Sequence, residues 1–321
     1  MIDIILSGCG QGIIWALLAI GFYIAFRILD FADMTCEGSM TLGGAVTAML
    51  IWQGVNSFLA VVIAFIAGLL AGAVTGVLHT KLKIPPILSG ILTMTALYSV
   101  NIHIMSIATG TSGTANLSLL KYIDDTVFAI IRSIIPLSKR DVTLVFGVII
   151  VLGTIGLLYW FFGTEIGCAI RATGNNEKMC RAQGINTDNT KIIGLALANG
   201  LIAVAGSLLT QHQGYADVKM GVGSIVIGLA SIIIGEALFA RAKGFFFKLI
   251  GIAVGSVIYR VIVALVIYSG MPSDDLKLMS AVIVIAALAF TNYKNEIVGA
   301  FKKLFSRFKK KPEEKEEKSN E

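Results

Sequence analysis

Apolar runs of about twenty residues alternate with short polar breaks along almost the whole chain, and a run of that length spans a bilayer as a helix. The runs are Ile4–Phe26, Phe58–Leu78, Ile87–Ile107, Val142–Phe162, Ile192–Thr210, Val222–Ala240, Phe245–Tyr268 and Leu276–Phe290, with a shorter one at Met40–Trp52. They predict an all-α integral membrane protein with about nine transmembrane helices, one of them short. Val127–Ile135 is too short to span and stops at Pro136, so a surface or re-entrant helix is expected there. The first run has no basic residues before it and continues for a full span, so no cleavable signal peptide is expected.

One long polar stretch breaks the pattern. Thr164–Lys191 carries Glu165, Arg171, Glu177, Lys178, Arg181, Asp188 and Lys191 between two apolar runs. Ionised groups are costly in lipid, so the stretch belongs in water or against a soluble partner. The chain then divides into a transmembrane domain, 1–290, containing this loop, 164–191, and a tail, 291–321. The tail is basic, then mixed in charge. IVGAFKKLFSRF reads either as an amphipathic helix on anionic membrane lipid or as a stop-transfer anchor, and the last residues read as disordered.

Composition agrees with the pattern. Of 321 residues, 56% are hydrophobic and 14% charged, against roughly 25% charged in soluble domains. The net charge of +6 gathers near the C-terminus, which reports membrane orientation rather than nucleic-acid binding. Nine crossings put the termini on opposite sides. With the C-terminus cytoplasmic and the N-terminus outside, nineteen Lys and Arg fall inside and six outside, with Arg260 left in a span. The same orientation puts Thr164–Lys191 in the cytoplasm. The four cysteines have no ligand spacing, and no metal site is expected.

Two polar hinges resemble each other. Ala32-Asp33-Met34 is followed by Gly38-Ser39 and Gly43; Ala216-Asp217-Val218 is followed by Gly223-Ser224 and Gly228. The topology puts the first inside and the second outside, as an inverted repeat of four plus four helices requires. Small residues crowd 67–76 and 194–206, which is first a signal of close helix packing.

The loop and its surroundings resemble the permease subunit of ATP-binding-cassette importers of the branched-chain amino acid class. The residues that carry this are Gly167, IRATGNNEKMCRAQGIN (170–186), AVAGSLLTQHQG (203–214) and GIIWALLAIGFYIAFRILDF (12–31). DMTCEGSMTLGGA (33–45) and GVGSIVIGLASIIIGEALF (221–239) resemble more narrowly a subgroup paired with a substrate-binding lipoprotein. The resemblance implies a type II importer-like permease in a bacterial cell membrane. It would form the pathway for a small solute, an amino acid or related compound, an aromatic one included. The family's loop pattern E-A-A-x-x-x-G is degenerate here: Lys178, Met179 and Cys180 stand in its first three positions, and Gly184 fits.

No G-x-x-x-x-G-K-[ST] motif occurs, so the chain is not expected to be an enzyme or to bind a cofactor, and ATP and Mg²⁺ would bind a separate ATPase subunit. A short helix around Asn175–Gln183 would couple to that ATPase. Arg171, Asn175, Glu177, Lys178 and Arg181 would supply polar contacts, Met179 and Ala182 an apolar anchor, and Gly184 the stop. The other expected partners are an extracytoplasmic binding lipoprotein, a second copy of this chain and membrane lipid.

Pathway candidates are the polar residues inside spans: Asn101, Asn199, Gln211, His212 and Arg260. Gln211 and His212 could equally start a water-facing loop. Arg260 could reach the outer surface, pair with Glu236 or line the path, while Glu236 could instead pair with Arg241. The hinge residues are Asp33, Gly38, Ser39, Asp217, Gly223 and Ser224. A self-contained secondary transporter would also have inverted repeats and broken helices, but it needs ion-coupling groups deep in the spans, and few ionisable residues lie there.

Overall fold

The computed structural model describes residues 2–134, 138–239, 244–270, 275, 278–286 and 288–289. Among the described residues, six helices are long and apolar enough to cross a membrane. They are α1 (Ile2–Tyr23), which runs on as a π-helical segment over Ile24–Ile28, then α3 (Ser57–Thr80), α4 (Pro86–Thr109), α6 (Lys139–Phe161), α9 (Thr187–Gln213) and α11 (Phe245–Tyr268). Two shorter helices, α2 (Thr35–Trp52) and α10 (Ser224–Leu238), correspond to the predicted runs Met40–Trp52 and Val222–Ala240. α5 (Val127–Ile134) is the expected short helix, and α7 (Glu165–Asn175) and α8 (Glu177–Ala182) fill the polar loop. Two three-residue strands, β1 (Asn116–Ser118) and β2 (Tyr215–Asp217), pair antiparallel. Residues 278–286 are helical, inside the predicted run Leu276–Phe290, while the tail and its amphipathic segment lie outside the described residues.

Helix ends follow from local chemistry. Asn56, Ser138, Thr164 and Asn186 each accept a backbone N–H of the first turn with their side chain. Pro86 occupies the first turn of α4, where its missing N–H costs nothing. Gly110 and Gly214 close α4 and α9 in the left-handed conformation.

The sequence expectation left the two hinges at opposite faces. The chain instead draws both inward until they meet. Asp33 accepts from the Asn199 amide at 2.6 Å, and Asn199 lies near the middle of α9. The second hinge runs from β2 to Gly223, whose N–H donates to Glu37 Oε1 at 2.8 Å. Each short helix therefore begins inside the bundle and crosses only part of it. Unpaired backbone is tolerated at such depth where protein groups satisfy it.

The packing repeats in inverted order. α3 packs along α9 as α11 packs along α1, and α2 and α10 lie beside these pairs. Gly43 of α2 sits against the Ala203 carbonyl of α9, while the matching Gly228 of α10 sits against the Phe22 ring of α1. The two small-residue stretches read from the sequence face each other, with Gly68, Gly72 and Gly76 of α3 against Ala203, Leu195 and Ile192 of α9. Without a hydrophobic drive between helices in lipid, such backbone contact supplies the dispersion energy that holds them.

A methyl group at position 43 would collide with the Ala203 carbonyl, which cannot move without shifting α9, whereas one at Gly153 meets nothing within 4 Å. Gly43→Ala is expected to destabilise by about 1–3 kcal/mol, the range of overpacking. Gly153→Ala should be neutral or stabilise by up to about 1 kcal/mol through helix propensity. Thermal unfolding of the two variants in detergent checks both.

Candidate functional site

Two regions concentrate the polar chemistry. The first is the meeting point of the hinges. Asp33 is fully buried, with Oδ1 accepting from the Thr35 N–H at 2.9 Å and Oδ2 from Asn199. Asn199 Oδ1 accepts in turn from the Ser39 hydroxyl at 2.7 Å. Thr35, Thr75 and Thr93 continue the buried network across α2, α3 and α4 at 2.7 and 2.9 Å. Asn199 was expected on the pathway; here it is a fully engaged strut between the first hinge and α9.

Beside this joint lies a cavity of about 250 Å³ lined by Glu37, Gly38, Thr41, Met94, Thr95, Tyr98, Asn101, Val218 and Val222. Asn101 donates to the Gly38 carbonyl at 3.3 Å, but its Oδ1 is buried without a partner. Glu37 uses Oε1 for Gly223, and no other side-chain bond to its carboxylate is present among the described residues. Two acceptor groups thus lie in one cavity within the bundle, next to an aromatic ring and a methionine. Asn101 was a pathway candidate. Glu37 and Tyr98 were not, because Glu37 reads as a hinge cap and a lone Tyr in an apolar run reads as lipid-facing.

The faces of α3 and α4 explain where this cavity opens. The exposed side of α3 is Phe58, Leu59, Val62, Ile66, Leu70, Val74 and Val77, all apolar, as lipid requires. Most of α4 is exposed, and its uncovered positions include Thr95, Tyr98, Ser99 and His103. A polar stripe on a spanning helix faces protein or water rather than acyl chains.

The remaining candidates fall elsewhere. Gln211 Oε1 accepts from the Val127 N–H at 2.9 Å and pins the start of α5. His212 stands edge-on to Phe128 at 5.7 Å and within 3.4 Å of Thr143 Oγ1. Asp217 holds the hairpin side of the second hinge through Asn116 at 3.0 Å and Lys219 N–H at 2.7 Å. Ser224 Oγ is buried with no partner. Arg260 lies on α11 with its guanidinium over the Trp15 ring at 4.1 Å, remote from Glu236. Glu236 pairs with Arg27 at 3.0 and 2.7 Å, while Arg241 lies outside the described residues.

The second region is the polar loop. The short helix expected around Asn175–Gln183 is α8, and a break at Asn176 separates it from α7. That residue is extended, with φ −156° and ψ 93°, and caps α8 by accepting from Met179 N–H at 3.0 Å. Gly184 ends α8 with φ 82°, while the N–H groups of Gly184 and Ile185 return to the carbonyls of Arg181 and Cys180, both at 3.0 Å. This is a helix stop that a Cβ would strain, and it explains why Gly184 alone survives from the family pattern. Glu177 and Arg181 were expected to point at a partner. Within this chain they pair in the loop, Glu177 with Arg181 at 2.9 Å and Lys191 at 2.8 Å and Arg181 also with Asp188 at 3.0 Å, while Arg181 remains exposed. Lys178, Met179 and Ala182 stay exposed, and Cys180 turns inward.

α7 docks under the end of α1. Gly174 lies against the Ile28 carbonyl so closely that no side chain fits. Arg171 sits 5.2 Å over the Phe245 ring, and with Asn175 it lines a polar cavity of about 430 Å³ shared with Arg27, Asp30 and Lys248.

Spanning helices and two shorter helices that meet within the bundle, with a cavity at their junction, describe a multi-pass membrane protein. The chain belongs to the family described as branched-chain amino acid transport system / permease component, whose model matches residues 4–288. It is therefore a permease, the membrane-spanning part of an ATP-binding-cassette importer. It is similar, at 37% identity, to the tyrosine transport system permease protein of Clostridioides difficile (strain R20291), over 96% of this chain and 98% of that one. It is 26% identical to the ribose import permease protein RbsC of Escherichia coli (strain K12), over 87% and 82% of the two chains. A third relative is the probable branched-chain amino acid transport permease protein LivH of Methanocaldococcus jannaschii, 24% identical over 60% of this chain and 61% of that one. No solved structure matches.

The Lys191 hydrogen bond, together with Arg181, holds the Glu177 carboxyl below its ordinary range, against partial burial, which pushes the other way. A lowered folded pKa means the contribution is complete above the unfolded value, roughly 4.3. It is lost as pH falls below that through the folded value. Hydrogen exchange in 177–184, corrected for intrinsic rate, should rise over that acid window, and Glu177→Gln should remove the step.

Proposed function

We propose that two copies of this permease form an amino-acid pathway between their α4 faces, with the junction cavity as its narrow, selective point. The observation that carries the reading is the cavity itself. Glu37 and the unpartnered Asn101 Oδ1 offer a negative charge and an acceptor to an α-ammonium group, beside the Tyr98 ring and Met94. Buried acceptors left unpaired are unfavourable until a donor arrives, which favours a transient passenger. The likeness to a tyrosine permease supports an aromatic amino acid as that passenger.

The polar stripe of α4 supports the second copy, because it is unsuited to lipid and adjoins the cavity. The exposed Lys178, Met179 and Ala182 of α8 supply the docking surface for a separate ATPase, which binds the ATP and Mg²⁺. Glu177 and Arg181 shape that surface rather than form it. The excess of Lys and Arg on the loop side supports a cytoplasmic α7 and α8, with the N-terminus outside. A binding lipoprotein would then deliver solute at the β1–β2 end. The cell membrane of a bacterium is the setting this reading assigns.

Glu37→Gln keeps the acceptor for Gly223 while removing the charge. Losing a hydrogen bond to a charged group, worth about 1.5–3 kcal/mol, should lower tyrosine uptake in proteoliposomes about 10- to 100-fold, with folding and ATP hydrolysis retained. Unchanged uptake would remove Glu37 from the pathway.

A further inference from the structure

Arg260 is a charged group inside a span, and no described residue balances it. It stands eight residues before Tyr268, so about 12 Å along α11 from that helix end at 1.5 Å per residue. Its Nε is buried and unpartnered, and it makes no hydrogen bond or ion pair among the described residues. The guanidinium lies 4.1 Å from the centre of the Trp15 ring, and the buried Trp15 Nε1 also lacks an acceptor. Two buried donors therefore sit together with no acceptor between them. Native structures leave few such groups, and a cation–π contact does not replace a counterion.

Arg260 lines a groove between α1 and α11. It holds about 310 Å³ and is lined by Asp3, Ser7, Gln11, Arg260, Val263 and Ile267, among others. The helices touch at its floor: a Cβ on Gly12 would lie 2.7 Å from Val257 Cα and 3.3 Å from Arg260 Cβ. Arg260 thus has no room in the seam itself. The carboxylate in the groove, Asp3, is already bound by Arg140. Among the described residues, no anion in the groove pairs with Arg260. Its wall is polar at Ser7 and Gln11 and apolar at Val263, Ala264 and Ile267.

We propose that this groove is an oxyanion site. Arg260 donates to the phosphodiester of a membrane lipid whose chain follows Val263 and Ile267, or to the carboxylate of a small solute. On the orientation above, the site opens to the outer leaflet. It is separate from the α4 cavity and stands or falls independently of the transport reading.

The test uses the full chain, delipidated in detergent, with native mass spectrometry and thermal shift. The probes are dioleoylphosphatidylglycerol, dioleoylglycerol with the same chains and no phosphate, tyrosine, and inorganic phosphate. Phosphatidylglycerol should be retained and raise the melting temperature, dioleoylglycerol should do neither, and Arg260→Gln should weaken retention by about 10-fold or more, as loss of a charge-assisted contact does. Arg260-dependent binding of tyrosine or phosphate instead would keep the site and assign its oxyanion to a solute. If Arg260→Gln fails to fold, Arg260→Lys is read the same way, since Lys lacks the planar fork. Equal binding of phosphatidylglycerol and dioleoylglycerol, or no loss of any probe in the variants, would overturn the proposal.

Discussion

The structure depends on two stretches of broken backbone meeting inside the bundle. Glu37 of one half-helix accepts the N–H that opens the other, at Gly223. Asp33, Asn199 and Ser39 close the first hinge onto α9. Helix ends leave backbone groups without intrahelical partners, and at this depth there is no bulk water to satisfy them. The first hinge is therefore held by buried side chains and the second by Glu37, and a small cavity lies beside the pair.

The rest of the fold serves that joint. Glycine and alanine bring α3 onto α9 and α11 onto α1 at backbone distance, so two rigid pairs flank the half-helices. The π-helical end of α1 ties the joint to the loop. Gly174 of α7 rests on Ile28, the chain turns at Asp30 with φ 53°, and Asp33 follows. Arg27 in the same segment binds Glu236 near the end of α10. On the proposed reading, movement of α7 and α8 reaches α2 through the hinge and α10 through that ion pair. The route is contiguous in space, and π-segments in helices are frequent at functional positions.

Much of this was legible in the residues. Length and hydropathy located the spanning helices, and the repeated Ala-Asp, Gly-Ser and Gly pattern located both half-helices. The small-residue stretches announced close packing. The meeting of the hinges was not legible, because hydropathy reports that a segment is polar and not how deep it goes. The placing of Glu37 and Tyr98 in one cavity was hidden for the same reason: it depends on Val218 and Val222, more than a hundred residues away. In the loop, charge alone made Glu177 and Arg181 look like partner contacts. Their pairing with Lys191 and Asp188 needs the turn at Gly184, which sequence spacing does not display.

The central claim is that the two half-helices bound one passage, and a crosslink across it tests this most directly. Thr41 and Val222 line the same cavity from opposite hinges. With the native cysteines replaced, Thr41→Cys and Val222→Cys should be joined by a short bifunctional thiol reagent in intact membranes. Uptake should then stop while ATP hydrolysis continues, and cleaving the link should restore uptake. Failure of the pair to link, or full uptake in linked protein, would contradict the account.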